Sequence, residues 1–327
     1  MPFNEGLESE DNDDNKYTKI RVQRRKQTLF VIGLSFGFLA ALVCHYFSKD
    51  NEVYSLPTWA GFNQKAYQQQ QLLESIQKVT TLDTKVRAIR QQVDIFETNA
   101  NGQAAQKELQ DATRDLLHLR YGIQEPYRVR VDLEFQPSIP DFQINGPFGS
   151  FLIELAPSTL QPHSIYTFLE VCRWFKKSAF HRIAPHVLQT YTLTNKKVQH
   201  LAFQEYSPEW PHVERTVGYA GRPSGPDWYV SIMDNANDHG PGTQQKKNPY
   251  EADSCFGKVI EGYETVVKRI SKVPGKEFVS DEHKHVIILK MVIMVSTGNG
   301  DYVEWKDTEM EGLAGVGGEA GAKTKGQ

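Results

Sequence analysis

The chain has 327 residues, 39% of them hydrophobic, and a formal net charge of -3. This length leaves room for one sizeable hydrophobic core with further segments attached to it. The near-neutral charge argues against a nucleic-acid partner, because binding to phosphates requires a basic surface.

The first 26 residues are charged and contain little apolar surface. Acidic residues dominate the stretch from Glu5 to Asp14, and a basic cluster follows between Lys16 and Lys26. Such a segment cannot bury enough apolar area to offset the entropy lost on folding. We therefore expect residues 1–26 to form a disordered tail, acidic and then basic.

Residues 27–48 contain a nearly uninterrupted apolar run, Leu29 to Phe47. A helix of this length crosses the ~30 Å hydrocarbon core of a bilayer, and its lack of a polar stripe disfavours a buried core helix. A cleavable signal peptide is the stronger alternative, although the run begins late, is long and lacks a clear small-x-small cleavage site. The sequence therefore predicts an uncleaved signal anchor.

The basic cluster on the N-terminal side of this run sets the predicted orientation. By the positive-inside rule, the N-terminus lies in the cytosol and everything after Ser48 lies in the lumen of the ER or Golgi, or outside the cell. The chain is thus predicted to be a single-pass type II membrane protein.

Residues 62–122 are predicted to form a helical stalk. Apolar residues recur at heptad spacing between Leu72 and Phe96, with valines repeated at one seam position, which is typical of a parallel two-stranded coiled coil and predicts a homodimer. A single helix packed against its own chain has the same spacing. A second helical stretch, from Leu109 to Leu119, either continues the stalk or forms the return arm of a helical hairpin.

The region 127–297 is rich in short apolar and β-branched segments typical of strands. A helical stretch, Pro162 to Phe175, precedes the segment FHRIAP at Phe180 to Pro185, and the stretch CFGKVIEGYETV follows at Cys255 to Val266. The glycine-rich end, residues 298–327, has no strand before it and no helix after it, so we expect a disordered, flexible tail rather than a phosphate-binding loop.

FHRIAP and CFGKVIEGYETV, with the strands and helix in their order around them, resemble the cyclophilin family over residues 127–297. This resemblance implies a mainly β fold, a closed eight-stranded antiparallel barrel with two capping helices. It also implies a prolyl cis-trans isomerase that acts on proline-containing polypeptides and needs no metal or other cofactor.

The resemblance implies that Arg182, in FHRI, is the catalytic residue. A guanidinium that donates a hydrogen bond toward the prolyl nitrogen stabilises the twisted amide, because the nitrogen lone pair appears only when conjugation is lost. The expected substrate-binding residues are the positions that match the family's pocket and its surroundings: Phe180, Val187, Leu188, Gln189, Gly221, Asp227 and Tyr229.

Several positions depart from the family's pattern. Asp227 stands where a glutamine normally donates to the substrate backbone, and a carboxylate donates only when it is protonated. This carboxylate could also pair with Arg182 and neutralise it. Val187 stands in for a pocket phenylalanine, and Gln189 meets the family's glutamine only if one residue is deleted, since otherwise Thr190 takes that place.

Two functions are consistent with these residues. One is a membrane-anchored prolyl isomerase that acts on proteins of the secretory pathway. The other is a catalytically weak or inactive module that binds proline-containing segments or partner proteins through the same cleft. Cys172 and Cys255 are expected to be free thiols in core elements, although an oxidising lumen would permit a disulfide.

Overall fold

The computed structural model describes residues 59–92, 100–139, 141–194, 198–221, 225–243, 252–273, 278–279 and 285–307. The predicted N-terminal tail, the predicted membrane span and the chain from residue 308 lie outside these ranges. Across the described ranges, no helix combines the length and the apolar character needed to cross a bilayer. The described residues from Gln64 onward belong to one compact unit.

The helices and strands follow one another in the order expected for a helical segment and then a barrel. The helices are α1 (Trp59–Gln92), α2 (Ala100–Tyr121), the single turn α3 (Phe142–Asn145), α4 (Pro162–Arg173), the single turn α5 (Ala236–His239), and a π-helical turn (Tyr263–Val267) that continues as α6 (Lys268–Ile270). The strands are β1 (Arg128–Glu134), β2 (Phe148–Leu155), β3 (Phe175–Ile183), β4 (Val187–Thr194), β5 (Thr216–Tyr219), β6 (Trp228–Ser231), β7 (Cys255–Glu261), β8 (Val286–Ser296) and β9 (Tyr302–Glu304).

Eight of these strands close into an antiparallel barrel. They pair in the order β1-β2-β7-β5-β6-β4-β3-β8, and β8 pairs again with β1, while β9 is added at the end of β8. Closure gives every barrel strand two hydrogen-bonded neighbours, so none of the eight presents a free edge along its whole length. The predicted eight-stranded barrel is confirmed.

The barrel interior is filled by alternate residues of each strand, and helices α4 and α6 pack against it. In β1, Val129, Val131 and Leu133 are buried, and the residues between them are partly exposed. This alternation follows from the two-residue repeat of a strand, which sends successive side chains to opposite faces.

Helix α4 is anchored to the barrel by an aromatic cluster. The ring centroid of Phe168 lies 4.6 Å from that of Phe256 and 5.7 Å from that of Trp228. All three rings are fully buried, and each contributes roughly 2–3 kcal/mol through the removal of apolar surface from water. Ile270 of α6 is buried in the same core.

Cys172 and Cys255 are both buried free thiols, as the sequence predicts. Burial raises the pKa of the Cys255 thiol to about 12, because the thiolate would lose its hydration. At neutral pH this cysteine therefore acts as a small apolar side chain.

Helices α1 and α2 form a hairpin whose facing side chains share one apolar cluster. Val79 and Val86, both on the seam expected to join two chains, are buried with Ala105 and Leu109 of α2. The chain's own return arm therefore fills this seam. The structure supports the helical-hairpin alternative and does not support a homodimer through Leu72 to Phe96.

Residues 198–207 join the hairpin to the barrel, a role that the sequence alone did not indicate. Phe203 packs in the same apolar cluster as Val86. The carboxylate of Glu205, which is buried, accepts hydrogen bonds from the backbone N–H of Ser164 at 2.7 Å and from the side chain of Gln110 at 2.8 Å. Burial raises the pKa of Glu205 to about 7, although these donors oppose the shift. One carboxyl group thus connects α2 to the first turn of α4.

We predict that Val86→Asp destabilises the full-length chain by about 3 kcal/mol or more, because it buries an unpaired charge in the hairpin. Ala88→Asp is the matched control, since Ala88 lies on the exposed side of the same helix, and it should cost less than about 1 kcal/mol. Urea unfolding gives both free energies. Equal effects of the two substitutions would show that Val86 is not packed inside its own chain.

Candidate functional site

The predicted site residues lie around the outer face of strands β3, β4 and β6. In β4, Leu188 and Thr190 point into the barrel and are fully buried, whereas Gln189 is partly exposed and Tyr191 is exposed. Because β4 pairs with β3 on one side and β6 on the other, its outward side chains lie between those of both neighbours. This face is the candidate site.

Arg182 is held on this face by an irregularity in the pairing of β3 with β4. The register shifts between Phe180 and Arg182, so that Phe180 lies opposite Thr190 and Arg182 lies opposite Gln189. An extra residue in one strand reverses the side on which the following side chain emerges. Phe180 therefore points into the core, and Arg182 points outward.

Gln189 and Phe278 help to fix the position of the Arg182 side chain. Its Nη1 donates a hydrogen bond to Oε1 of Gln189 at 3.1 Å, and its guanidinium carbon lies 5.6 Å from the centre of the Phe278 ring. Gln189 thus takes the position next to the arginine, and Thr190 instead donates to the backbone oxygen of Trp228 inside the barrel. The half-buried guanidinium is therefore oriented before any substrate arrives.

Asp227 does not neutralise this arginine. Its Oδ1 accepts a hydrogen bond from the backbone N–H of Thr192 at 2.8 Å. Burial raises the pKa of Asp227, while the Thr192 N–H and the nearby His181 and His200 oppose the rise. The pair between Arg182 and Asp227 that the sequence allowed is therefore not formed. The Asp227 carboxylate instead accepts a hydrogen bond from the backbone of β4, beyond the residues of β4 that pair with β6.

Tyr229 of β6, which packs against Val187 and lies opposite Gln189, belongs to a buried polar network. The hydroxyl of Tyr229 lies 3.4 Å from Oδ2 of Asp253 and 3.3 Å from Nδ1 of His212, and Nδ1 of His239 lies 2.7 Å from the same Oδ2. All four of these polar residues are buried. We refer to Tyr229, His212, His239 and Asp253 as the polar network.

The hydrogen bonds define the tautomer of His212. Its Nε2 lies 2.9 Å from the backbone oxygen of Asp253, and a carbonyl oxygen only accepts, so Nε2 carries the proton. Its Nδ1 is then an acceptor for the Tyr229 hydroxyl. Burial lowers the pKa of His212 to about 4, which keeps the ring neutral.

A glycine on β5 makes room for the Tyr229 ring. A Cβ atom at Gly218 would lie 2.7 Å from the Tyr229 hydroxyl oxygen, a distance that no ordinary contact allows. The position of Tyr229 in the polar network therefore requires a residue without a side chain at position 218 of β5.

The structure brings together four of the predicted site residues, Arg182, Gln189, Val187 and Tyr229. Phe180 and Leu188 are instead core residues, because both point into the barrel and are fully buried. Gly221 is exposed, with a φ of 84°, just before residues that the structure does not describe.

His212 and His239 are the components that sequence reasoning missed. His212 is 17 residues from Tyr229 and His239 is 14 residues from Asp253, on different connections, so no helix or strand periodicity marks them as partners. The one sequence feature that could have pointed to the polar network was Asp253, because it lies just before the strand that contains FGKV.

We also searched the described residues for a metal site and for cavities. Among these residues, no group of three or more His, Cys, Asp or Glu side chains is arranged to hold a metal ion. A cavity of about 430 Å³ lies between α1 and α4, away from Arg182. Charged groups that line it are paired with one another, as in Arg120 with Glu170 at 2.6 Å.

The lowered pKa of His212 predicts a pH dependence of stability. The unfolded chain takes up a proton on this residue below about pH 6.5, whereas the folded chain resists protonation down to about pH 4. Stability that is fully present above pH 6.5 is therefore lost as the pH falls through this window. Between pH 7 and pH 5 the loss from His212 is about 2 kcal/mol.

We expect His212→Gln to flatten this dependence in urea unfolding of the full-length chain at pH 7 and pH 5. His200→Gln, at an exposed histidine, is the matched control and should keep the parent's dependence. The buried residues His163 and Glu205 are present in all three proteins, so their own pH effects cancel in the comparison. An unchanged pH dependence in His212→Gln would contradict this assignment.

Comparison with known proteins agrees with the fold. The family model for the cyclophilin type peptidyl-prolyl cis-trans isomerase/CLD matches residues 139–293, which include β2, most of β8 and every element between them. A search of curated proteins gave no match. The matched region contains Arg182, Gln189 and the complete polar network. The chain thus carries a cyclophilin-type peptidyl-prolyl cis-trans isomerase domain.

Proposed function

We propose that the barrel catalyses the cis-trans isomerisation of peptide bonds that precede proline, with Arg182 as the catalytic residue. The observation that supports this most directly is the position of the guanidinium, held by Gln189 at 3.1 Å on the outer face of the barrel. Val187 and Tyr229 pack together on the same face, and Tyr229 lies opposite Gln189.

The chemistry needs little more than a fixed donor. The barrier to rotation is ~18–20 kcal/mol because the planar amide is resonance-stabilised. In the twisted amide the prolyl nitrogen regains its lone pair and accepts a hydrogen bond, which neither planar isomer does equally well. A donor that is already oriented toward this nitrogen therefore stabilises the transition state over both ground states.

A second function, binding with little turnover, is favoured by a specific observation. Tyr229, which packs against Val187, is hydrogen-bonded to His212, and the carboxylate of Asp253 beside it is paired with His239. A proline ring placed there would contact few apolar atoms. On this alternative, the domain holds proline-containing segments or partner proteins without accelerating their isomerisation.

We further propose that the chain is a single-pass type II membrane protein whose barrel faces the ER or Golgi lumen or the cell exterior, so that its substrates are proteins of the secretory pathway. The support comes from the sequence. The apolar run Leu29 to Phe47 is long enough to span a bilayer, and the basic cluster lies on its N-terminal side.

If Arg182 is catalytic, Arg182→Ala should lower the isomerisation rate constant about 10- to 100-fold, since a charged hydrogen bond contributes roughly 1.5–3 kcal/mol. Arg182→Lys should recover little, because an ammonium group lacks the planar donor geometry. The measurement is the isomerisation of a prolyl peptide by the full-length chain, followed by NMR exchange.

Arg130→Ala is the control, since this arginine lies on β1, is similarly exposed and pairs with Asp132. It should leave the rate unchanged. Activity that is indifferent to Arg182 would refute the proposed mechanism. A parent protein that binds the peptide without accelerating its isomerisation would instead establish the binding alternative.

The proposed topology predicts a protease-protection pattern in sealed microsomes. Added protease should trim residues 1–26 and leave the rest of the chain intact, and it should digest the barrel once detergent opens the vesicles. Digestion of the barrel in intact vesicles would reverse the proposed orientation. Extraction of the chain by alkaline carbonate would show that it has no membrane anchor.

A further inference from the structure

Aromatic side chains continue the candidate site past Arg182. Tyr191 on β4 is 42% exposed and Phe278 is 60% exposed. The ring of His181 lies between them, with its centroid 6.1 Å from that of Tyr191 and 6.0 Å from that of Phe278. We call Tyr191, Phe278 and His181 the aromatic shelf.

The aromatic shelf is continuous with the proposed catalytic group. The guanidinium of Arg182 lies over the Phe278 ring, and the backbones of these two residues form a β-bridge. The backbone N–H of Val279 also donates to the backbone oxygen of His181 at 2.8 Å. These contacts hold Phe278 against the end of β3, so a substrate bound at Arg182 would lie beside the shelf.

Single exposed aromatic residues are common on protein surfaces and do not by themselves mark a site. Phe148, for example, is 65% exposed at the start of β2. Tyr191 and Phe278 differ from it because they contact the same histidine ring, and because one of them contacts the arginine that the proposed function requires.

The distribution of apolar surface explains why the shelf would matter for binding. Val187, Ala184 and Tyr229 form a buried cluster and offer little surface to a ligand. The hydroxyl of Tyr229 is already hydrogen-bonded within the polar network. Binding energy for a polypeptide must therefore come from other contacts, and exposed aromatic rings provide large apolar area at a low cost in side-chain entropy.

We propose that the aromatic shelf binds an aromatic side chain adjacent to the proline of the substrate. The preferred substrates are then polypeptide segments in which phenylalanine, tyrosine or tryptophan directly precedes or follows proline. This inference rests on the proposed function for the position of the proline at Arg182, and it adds the substrate class.

The test measures the affinity of the full-length chain for three hexapeptides by fluorescence anisotropy. One has phenylalanine before its proline, one has phenylalanine after it, and one has alanine at both positions. At least one phenylalanine peptide should bind about fivefold more tightly than the alanine peptide, as expected for one additional aromatic contact.

The variants Tyr191→Ala and Phe278→Ala should each reduce this ratio, and the double variant should bring it close to 1. Phe148→Ala is the matched control, because it removes an aromatic ring of similar exposure from another part of the surface. This control should keep the parent's ratio.

The results separate the substrate class from the proposed function. A parent that prefers a phenylalanine peptide through Tyr191 and Phe278, but does not accelerate isomerisation, would support the shelf and refute catalysis. An active parent with no preference would refute the shelf alone. A preference that survives in the double variant, or the failure of all three peptides to bind, would also overturn the proposal.

Discussion

The pairing of β8 with β1 closes the barrel, and the position of the candidate site residues depends on that closure. In a closed barrel one face of every strand is used to fill the interior, so a side chain that meets a polypeptide must come from the other face. Whether a residue belongs to the core or to the site is then decided by the direction of its side chain. A single irregularity in pairing changes that direction for all the residues after it.

The shift between Phe180 and Arg182 shows how strong this effect is. The family resemblance was sufficient to predict the barrel, because the motifs that carry it are local features of the sequence, whereas the role of Arg182 stays a prediction. It was not sufficient to place Phe180 on the opposite face from Arg182, since that difference depends on a bulge that arises from pairing between two strands. The same limit applies to Asp227, whose partner is a backbone N–H on the neighbouring strand.

Long-range contacts also explain the two larger differences from the sequence-based expectations. The heptad pattern around Val79 and Val86 correctly predicted an apolar seam, but a seam does not specify whether its partner is another chain or the next helix. The polar network draws one residue each from β6, the loop before β5, α5 and the segment before β7. No spacing along the chain distinguishes such a set from unrelated polar residues.

The hairpin and the connecting segment 198–207 have a shared consequence for the evolution of this chain. Without the hairpin, Ala202 and Phe203 would lose the apolar neighbours of α1 and α2, and Glu205 would lose Gln110. Without the connecting segment, the hairpin would expose the surface around Val86 and Leu109. Each of the two segments therefore exposes apolar or polar groups when the other is absent, and we expect the two to be gained, retained or lost together among proteins that share this barrel.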